Sequence, residues 1–192
     1  MTFPEYYEEV AALGFDSDIE DFRKAFLSAM NRGFRDITRI RPRMASTEYA
    51  LDNSAYTCHS FDVKEEVKDD YGSLPMNPVR TLDGLLYDNR KYTFLNKDTI
   101  MFLPNAETGT YIIDYRRKAK KFTENDFESE EEIDLDDDLS YALTLLVAYY
   151  TFLDDDAEKA TQYLARYNEE KATIERTQIT HTPNGYFNRN GW

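Results

Sequence analysis

The side chains best suited to nucleophilic or metal chemistry are few: one cysteine, Cys58, and two histidines, His59 and His181. Cys58 and His59 are neighbours in sequence, whereas a thiol and its base must face each other across a site, and no glycine elbow precedes any serine. Cys58 is therefore expected to be an ordinary buried thiol, His59 a surface histidine, and both histidines to lie in loops. No phosphate-cradling Walker loop, dinucleotide fingerprint or zinc spacing occurs. Asp134, Asp136, Asp137 and Asp138 offer carboxylates for calcium, but the EF-hand glycine and distal glutamate are missing. A solvated linker with helix-capping acids explains them better. A hydrolase built on carboxylates is a competing reading, yet nothing singles out one pair among 37 acids. No catalytic, cofactor-binding or metal-ligating residue is assigned.

Two stretches depart from the acidic background in ways that suit binding. Arg32, Arg35, Arg39, Arg41 and Arg43 end the second helix and continue past it. Basic side chains favour a helix C-terminus, but five arginines within twelve residues exceed what a helix dipole needs. Either they pair with acids of a neighbour, identical or not, or they form a solvated face; direct DNA contact is disfavoured by the charge around them. The last ten residues, PNGYFNRNGW, contain no acid. Tyr186, Phe187, Arg189 and Trp192 read there as anchors for a partner's sheet edge or pockets. The duller alternative is a tail folded back on its own helices.

The elements that would position these residues are mostly helical. Residues 2–13 form a short helix, with Pro4 in its first turn and Gly14 as its stop. Ser17 and Glu20 are spaced as a capping box for a longer helix, residues 17–41, whose stripe runs Ile19, Phe22, Phe26, Ala29, Met30, Ile37 and Ile40 until Pro42. Gly33 inside that stripe marks close packing. Residues 47–121 change texture and read as a β excursion. Its clearest strands are Tyr92–Leu95, Thr99–Leu103 and Thr110–Arg116, with Asn105–Gly109 joining the last two as a hairpin and 60–84 as a long loop. An acidic linker, 124–138, carries ten acids and no base. Helices over 139–153, apolar nearly all round, and 157–176, with Asp154, Asp155 and Asp156 as cap candidates, form an antiparallel pair. Ala160, Tyr163, Leu164 and Tyr167 make the inner face of the last helix. The fold class is mainly α with a β excursion (α+β): one domain, 1–176, and an extended tail, 177–192.

Composition narrows the function class. With 37 acids against 23 bases, a formal charge of −14 argues against wrapping nucleic acid. An acidic DNA mimic that inhibits a nucleic-acid enzyme fits that charge, but explains neither the arginines nor the aromatic tail. Fifteen tyrosines suit surfaces buried only against another subunit as well as ordinary core edges. The lone cysteine fits a reducing compartment, no basic leader precedes Phe15, and the apolar run Tyr141–Leu153 is too short for a bilayer.

Four stretches resemble the head–tail connector (adaptor) proteins of tailed bacteriophages, including the tail-tube or gatekeeper subunits of short-tailed phages. They are DFRKAFLSAMNRGFRDITRI, GLLYDNRKYTFLNKDTIMFL, GTYIIDYRRKAKKFTEND and IDLDDDLSYALTLLVAYYTFLDDDAEKATQYLARYNEEKATI. Residues 44–84 match nothing in that pattern. The resemblance implies a structural virion protein without catalytic residues or cofactors, made in the bacterial cytoplasm and placed at the head–tail junction. Its implied partners are the portal protein, a tail or second neck protein, and further copies of itself in a ring, a dodecamer in the family, through which DNA passes unbound. The implied C-terminal arm is Thr177–Trp192.

Overall fold

Thr2 starts the first helix with a reciprocal cap. Its hydroxyl accepts from the Glu5 N–H at 3.3 Å, while the Glu5 carboxylate accepts from the Thr2 N–H at 2.7 Å. Two amides that a helix start leaves bare are thereby satisfied. Gly14, at φ +94°, ends the element as its position suggests. The computed structural model describes residues 1–14 and 19–181, so the Ser17 cap and the residues from Thr182 on lie outside the described residues.

In chain order the elements are α1 (Phe3–Ala12), α2 (Ile19–Ile40), β1 (Met44–Leu51), β2 (His59–Asp62), α3 (Val63–Val67), β3 (Tyr71–Ser73), β4 (Val79–Thr81), β5 (Tyr92–Phe94), β6 (Thr99–Phe102), β7 (Gly109–Arg117), α4 (Asp137–Phe152) and α5 (Ala157–His181). The fold is α+β, with two small antiparallel sheets. The chain divides into a helical unit, Met1–Ile40 with the chain from Lys120 onward, and a β unit, Arg41–Ala119.

In the helical unit, α4 packs against α1, α2 and α5. Its buried residues include Leu139, Leu143, Leu146 and Val147, which explains an apolar sequence with so little amphipathic contrast. From α2 come Phe22, Phe26, Met30, Phe34 and Ile37. Gly33 is where the two helices close up: a Cβ there would stand 3.1 Å from Val147 Cγ2 and 3.2 Å from Leu143 Cδ1. Asp156 caps α5, its Oδ1 accepting from the N–H of Glu158 at 3.1 Å and of Lys159 at 3.0 Å. The helix then runs to His181, five residues beyond the expected end at 176.

The acidic run differs from the expected solvated linker. Phe122 and Ile133 are buried, the Ile133 N–H donates to the Met1 carbonyl at 2.9 Å, and a one-turn 3₁₀ helix occupies Glu124–Glu128. Phe127 lies edge-on to Phe3, ring centroids 4.9 Å apart. Phe122 just before the acids, and Phe127 and Ile133 between them, tie the segment down, while most of the carboxylates stay exposed.

The β unit corrects two further expectations. β7 is the central strand of the first sheet, paired with β1 on one side and with β3 and β4 on the other. Tyr111, Ile113 and Tyr115 point to the core, as their alternation indicates, together with Leu51 and Val79. The second sheet has the order β2-β6-β5. Asn105–Gly109 is thus not a hairpin: it carries the chain from β6 in one sheet to β7 in the other. Asn53 holds that crossing, its Nδ2 donating to the carbonyls of Pro104 at 3.1 Å and Ala106 at 2.8 Å. Residues 60–84 are not a long loop but contain β2, α3, β3 and β4. These strands are three or four residues long, too short for a period of two to show. Gly72 is required in β3, since a Cβ would lie 2.9 Å from the carbonyl oxygens of Arg116 and Arg117.

Candidate assembly surfaces

Cys58 is exposed rather than buried, because it sits in the surface turn between β1 and β2. His59 opens β2 and lies 3.1 Å from the Thr57 hydroxyl, and His181 ends α5, so neither belongs to a loop. Among the described residues, no group of three or more His, Cys, Asp or Glu side chains is placed to hold a metal ion. No helix among them is long and apolar enough to cross a membrane.

The arginine island is divided between the two units. Arg32, Arg35 and Arg39 lie on α2, whereas Arg41 and Arg43 belong to the β unit. The Arg32 guanidinium lies over the Tyr150 ring, 4.1 Å from its centroid. Arg39 pairs with Asp36 at 3.3 Å and stays largely exposed. Arg35 is exposed and has no ion pair or side-chain hydrogen bond among the described residues. The Arg43 carbonyl accepts from the Arg117 N–H at 2.7 Å, which places its backbone beside the end of β7. Of the five, only Arg35 has its whole guanidinium available. Tyr186, Phe187, Arg189 and Trp192 lie outside the described residues.

Two surfaces were not anticipated from the sequence. The first is a groove of about 490 Å³ between α2, α4 and α5. Leu146, Tyr150, Leu164 and Tyr167 line it, and ion pairs stand at its rim: Asp36 with Arg39, and Lys171 with Glu175 at 3.9 Å. Tyr150 donates from its hydroxyl to Asp36 Oδ2 at 2.9 Å. Burial, then the Asp36 carboxylate, raises the Tyr150 pKa, and burial raises that of Tyr167, so both keep their protons at neutral pH. The groove is apolar in its floor and offers hydroxyls and charges at its edges. Half of its signal was legible, since Leu164 and Tyr167 share the inner face of α5.

The second surface is in the β unit. Leu82 and Leu85 are 63% and 65% exposed, although the turn that carries them is well bonded. The Thr81 N–H donates to the Leu85 carbonyl at 2.9 Å, the Gly84 N–H to the Thr81 carbonyl at 2.9 Å, and the Thr81 hydroxyl to Asp83. Gly84 takes φ +83°, which the turn requires. Met76, Leu86, Phe94 and Leu95 are also exposed. The turn thus holds two leucines outward that the β unit leaves uncovered. The available signal was the apolar pair following Asp83-Gly84.

The sequence model of the SU10 adaptor protein family matches residues 1–186. No curated protein matches the chain.

Proposed function

The chain belongs to the SU10 adaptor protein family, a family of phage head–tail adaptors, and from that premise we propose that it forms a ring beneath the portal, linking the capsid to the tail and lining the DNA passage. The family match across nearly the whole chain carries this reading. A phage structural adaptor needs lateral and axial contacts rather than a reaction site, and the surfaces available suit that: the unpaired Arg35, the outward leucines of the β unit, and the aromatic tail. The ring is a dodecamer in this reading. Its partners are the portal protein on one side and a tail or second neck protein on the other. An excess of acids suits a lumen that must pass DNA without gripping its phosphates.

In the ring, the arginines on α2 pair with acids of a neighbour, and Tyr186, Phe187, Arg189 and Trp192 anchor the C-terminal segment to a partner. The charge of −14 also suits an acidic DNA mimic, but a mimic has no use for outward leucines or an unpaired arginine. A cryo-EM map of the virion neck tests the proposal. Density for this chain in a closed ring between portal and tail is the expected result; necks complete without it would refute it.

A further inference from the structure

We propose that copies of this chain meet head to tail: Leu82 and Leu85 of one copy enter the groove between α2, α4 and α5 of the next, and Asp52 and Asp83 face its Arg35 and Arg39. The proposal rests on the ring reading and names a contact between neighbours in that ring.

The β unit presents these residues together. The chain enters and leaves this unit beside the pair Met44 and Arg116, at one end of the β1–β7 ladder. At the other end β1 finishes at Leu51, opposite Gly109, and β4 at Thr81, opposite Tyr111. The turns that follow β1 and β4 therefore leave the sheet on either side of β7, about 10 Å apart at about 4.8 Å per strand. The first carries Tyr56, 78% exposed and at φ +51°, a conformation that residues other than glycine rarely adopt. Asn53 holds it there, accepting from the Tyr56 N–H on its carbonyl at 3.0 Å and from the Thr57 N–H on Oδ1 at 2.9 Å. The second carries Leu82 and Leu85. Asp52 and Asp83 are exposed beside them and have no ion pair among the described residues. The result is an apolar knob, fixed by its own hydrogen bonds, with two uncompensated negative charges.

Charge chooses between two depressions of the helical unit. The one at Ala25, Ala29 and Leu153 is rimmed by Asp21, Asp154 and Asp155 against Arg32 alone, and repels an acidic knob. The groove between α2, α4 and α5 has its apolar floor at Leu146 and Leu164. Its Arg39 and Lys171 are matched by Asp36 and Glu175. Arg35, one turn before Arg39 on the same face of α2, then adds a cation that has no partner among the described residues. At about 490 Å³ the groove is about three times the ~150 Å³ that holds a benzene in a protein interior, which leaves room for two leucine side chains. Each copy gives a knob at one place and takes one at another, so the contact repeats from copy to copy, as a ring requires.

The experiment uses the full-length chain with Cys58→Ser, which removes its one native thiol. One preparation carries Leu85→Cys and another Leu164→Cys. They are mixed and treated with a short bis-maleimide, at high concentration in solution and in necks assembled from both. A cross-linked dimer is expected from the mixture and from neither variant alone. Adding Asp52→Lys with Asp83→Lys to the first, or Arg35→Glu with Arg39→Glu to the second, should lower its yield by about tenfold or more. Both reversals together should restore it. Circular dichroism checks each fold, and if a reversed variant fails to fold, the cysteine pair decides alone. No mixed dimer in either setting overturns the proposal, as does a yield indifferent to the reversals. Dimers from Leu85→Cys alone would set turn against turn, and capture of a different neck protein would give the leucines to that protein; either result overturns it. So does a link closed within one chain that carries both cysteines. A closed ring in the neck without a link between positions 85 and 164 refutes this contact and leaves the adaptor reading standing, whereas the link in a chain absent from necks does the reverse.

Discussion

The side chain of Asn31 pairs with the backbone of Phe122 as a neighbouring strand would: Oδ1 accepts from the Phe122 N–H at 2.8 Å, and Nδ2 donates to the Phe122 carbonyl at 3.0 Å. The same Nδ2 donates to the Leu27 carbonyl at 3.0 Å. The bonds seat the Phe122 ring against Phe3 and Phe34, each with its centroid 5.1 Å away. Asn31→Leu keeps the bulk but leaves the peptide groups of a buried residue unpaired, which costs about 2–3 kcal/mol. Urea unfolding followed by helical circular dichroism measures this; a loss below about 0.5 kcal/mol would show that water replaces the amide.

Gly33 separates two opposing effects. Alanine gains up to about 1 kcal/mol in helix propensity over glycine. Its Cβ would meet side-chain methyls at 3.1 and 3.2 Å, which must yield by a few tenths of an ångström. Gly33→Ala should accordingly lie within about 1 kcal/mol of wild type. Gly33→Leu overfills the α2–α4 contact and should lose about 3 kcal/mol or more. Equal stability of the two variants would mean that the helices can separate at little cost.

Glu107 gives the β unit an acid-sensitive contact. A hydrogen bond from Lys91 Nζ at 2.7 Å, and one from the Tyr87 hydroxyl, lower its pKa to about 2. A carboxylate depressed in the folded state stabilises fully above its unfolded pKa, and that stability is lost as the pH falls from about 4.5 towards 2. The side chain of Glu107 is 61% exposed, so solvent screening keeps the contribution to about 1 kcal/mol or less. Glu107→Gln should flatten the melting temperature of the chain over that window. An unchanged acid limb would assign the sensitivity elsewhere.

The helices were legible in the sequence because each announces itself over several turns: Phe22, Phe26 and Ile37 in α2, the uninterrupted apolar run of α4, and Asp156 before α5. The β unit was legible only at β5, β6 and β7. β1 escaped because Met44, Ser46, Glu48 and Ala50 alternate with Ala45, Thr47 and Tyr49, a pattern with little contrast in hydropathy. The sheet change at Asn105 escaped for a different reason. It depends on Asn53, 50 to 53 residues before the carbonyls it bonds, whose amide selects the path. The groove escaped because its walls come from three helices, and Leu146 and Tyr150 cannot be told from core residues by spacing alone.

Reversal of Arg35 and Arg39 to glutamate tests the island. Both side chains are exposed on α2, so the fold should change by no more than about 0.5 kcal/mol. Contacts desolvated between subunits are more sensitive, and incorporation into necks should fall, most clearly at low salt. Wild-type incorporation by the double variant would make the island a solvated face.

Replacing Tyr186, Phe187 and Trp192 with alanine should leave the melting temperature of the isolated subunit nearly unchanged, since the cores of both units are built elsewhere. Incorporation at the head–tail junction should drop sharply, because an aromatic anchor in a partner pocket contributes about 2 kcal/mol or more on truncation. A much lower melting temperature would place these rings in the subunit's own core.

The hydrogen bond between the Arg43 carbonyl and the Arg117 N–H, at 2.7 Å, joins the two ends of the chain that interrupts the helical unit. This bears on the order of folding. For α2 to meet Phe122, all the residues from Arg41 to Ala119 must be closed into a loop, and that entropy is spent before any helical contact repays it. Folding of the β unit draws its own ends together along the β1–β7 ladder, from Met44 opposite Arg116 to Leu51 opposite Gly109. The long loop then becomes a short one. The β unit is therefore expected to gain amide protection first in pulse-labelled hydrogen exchange, with α2 and α4 following. Breaking the ladder, as with Thr47→Pro opposite Ile113, should slow formation of α2 and α4.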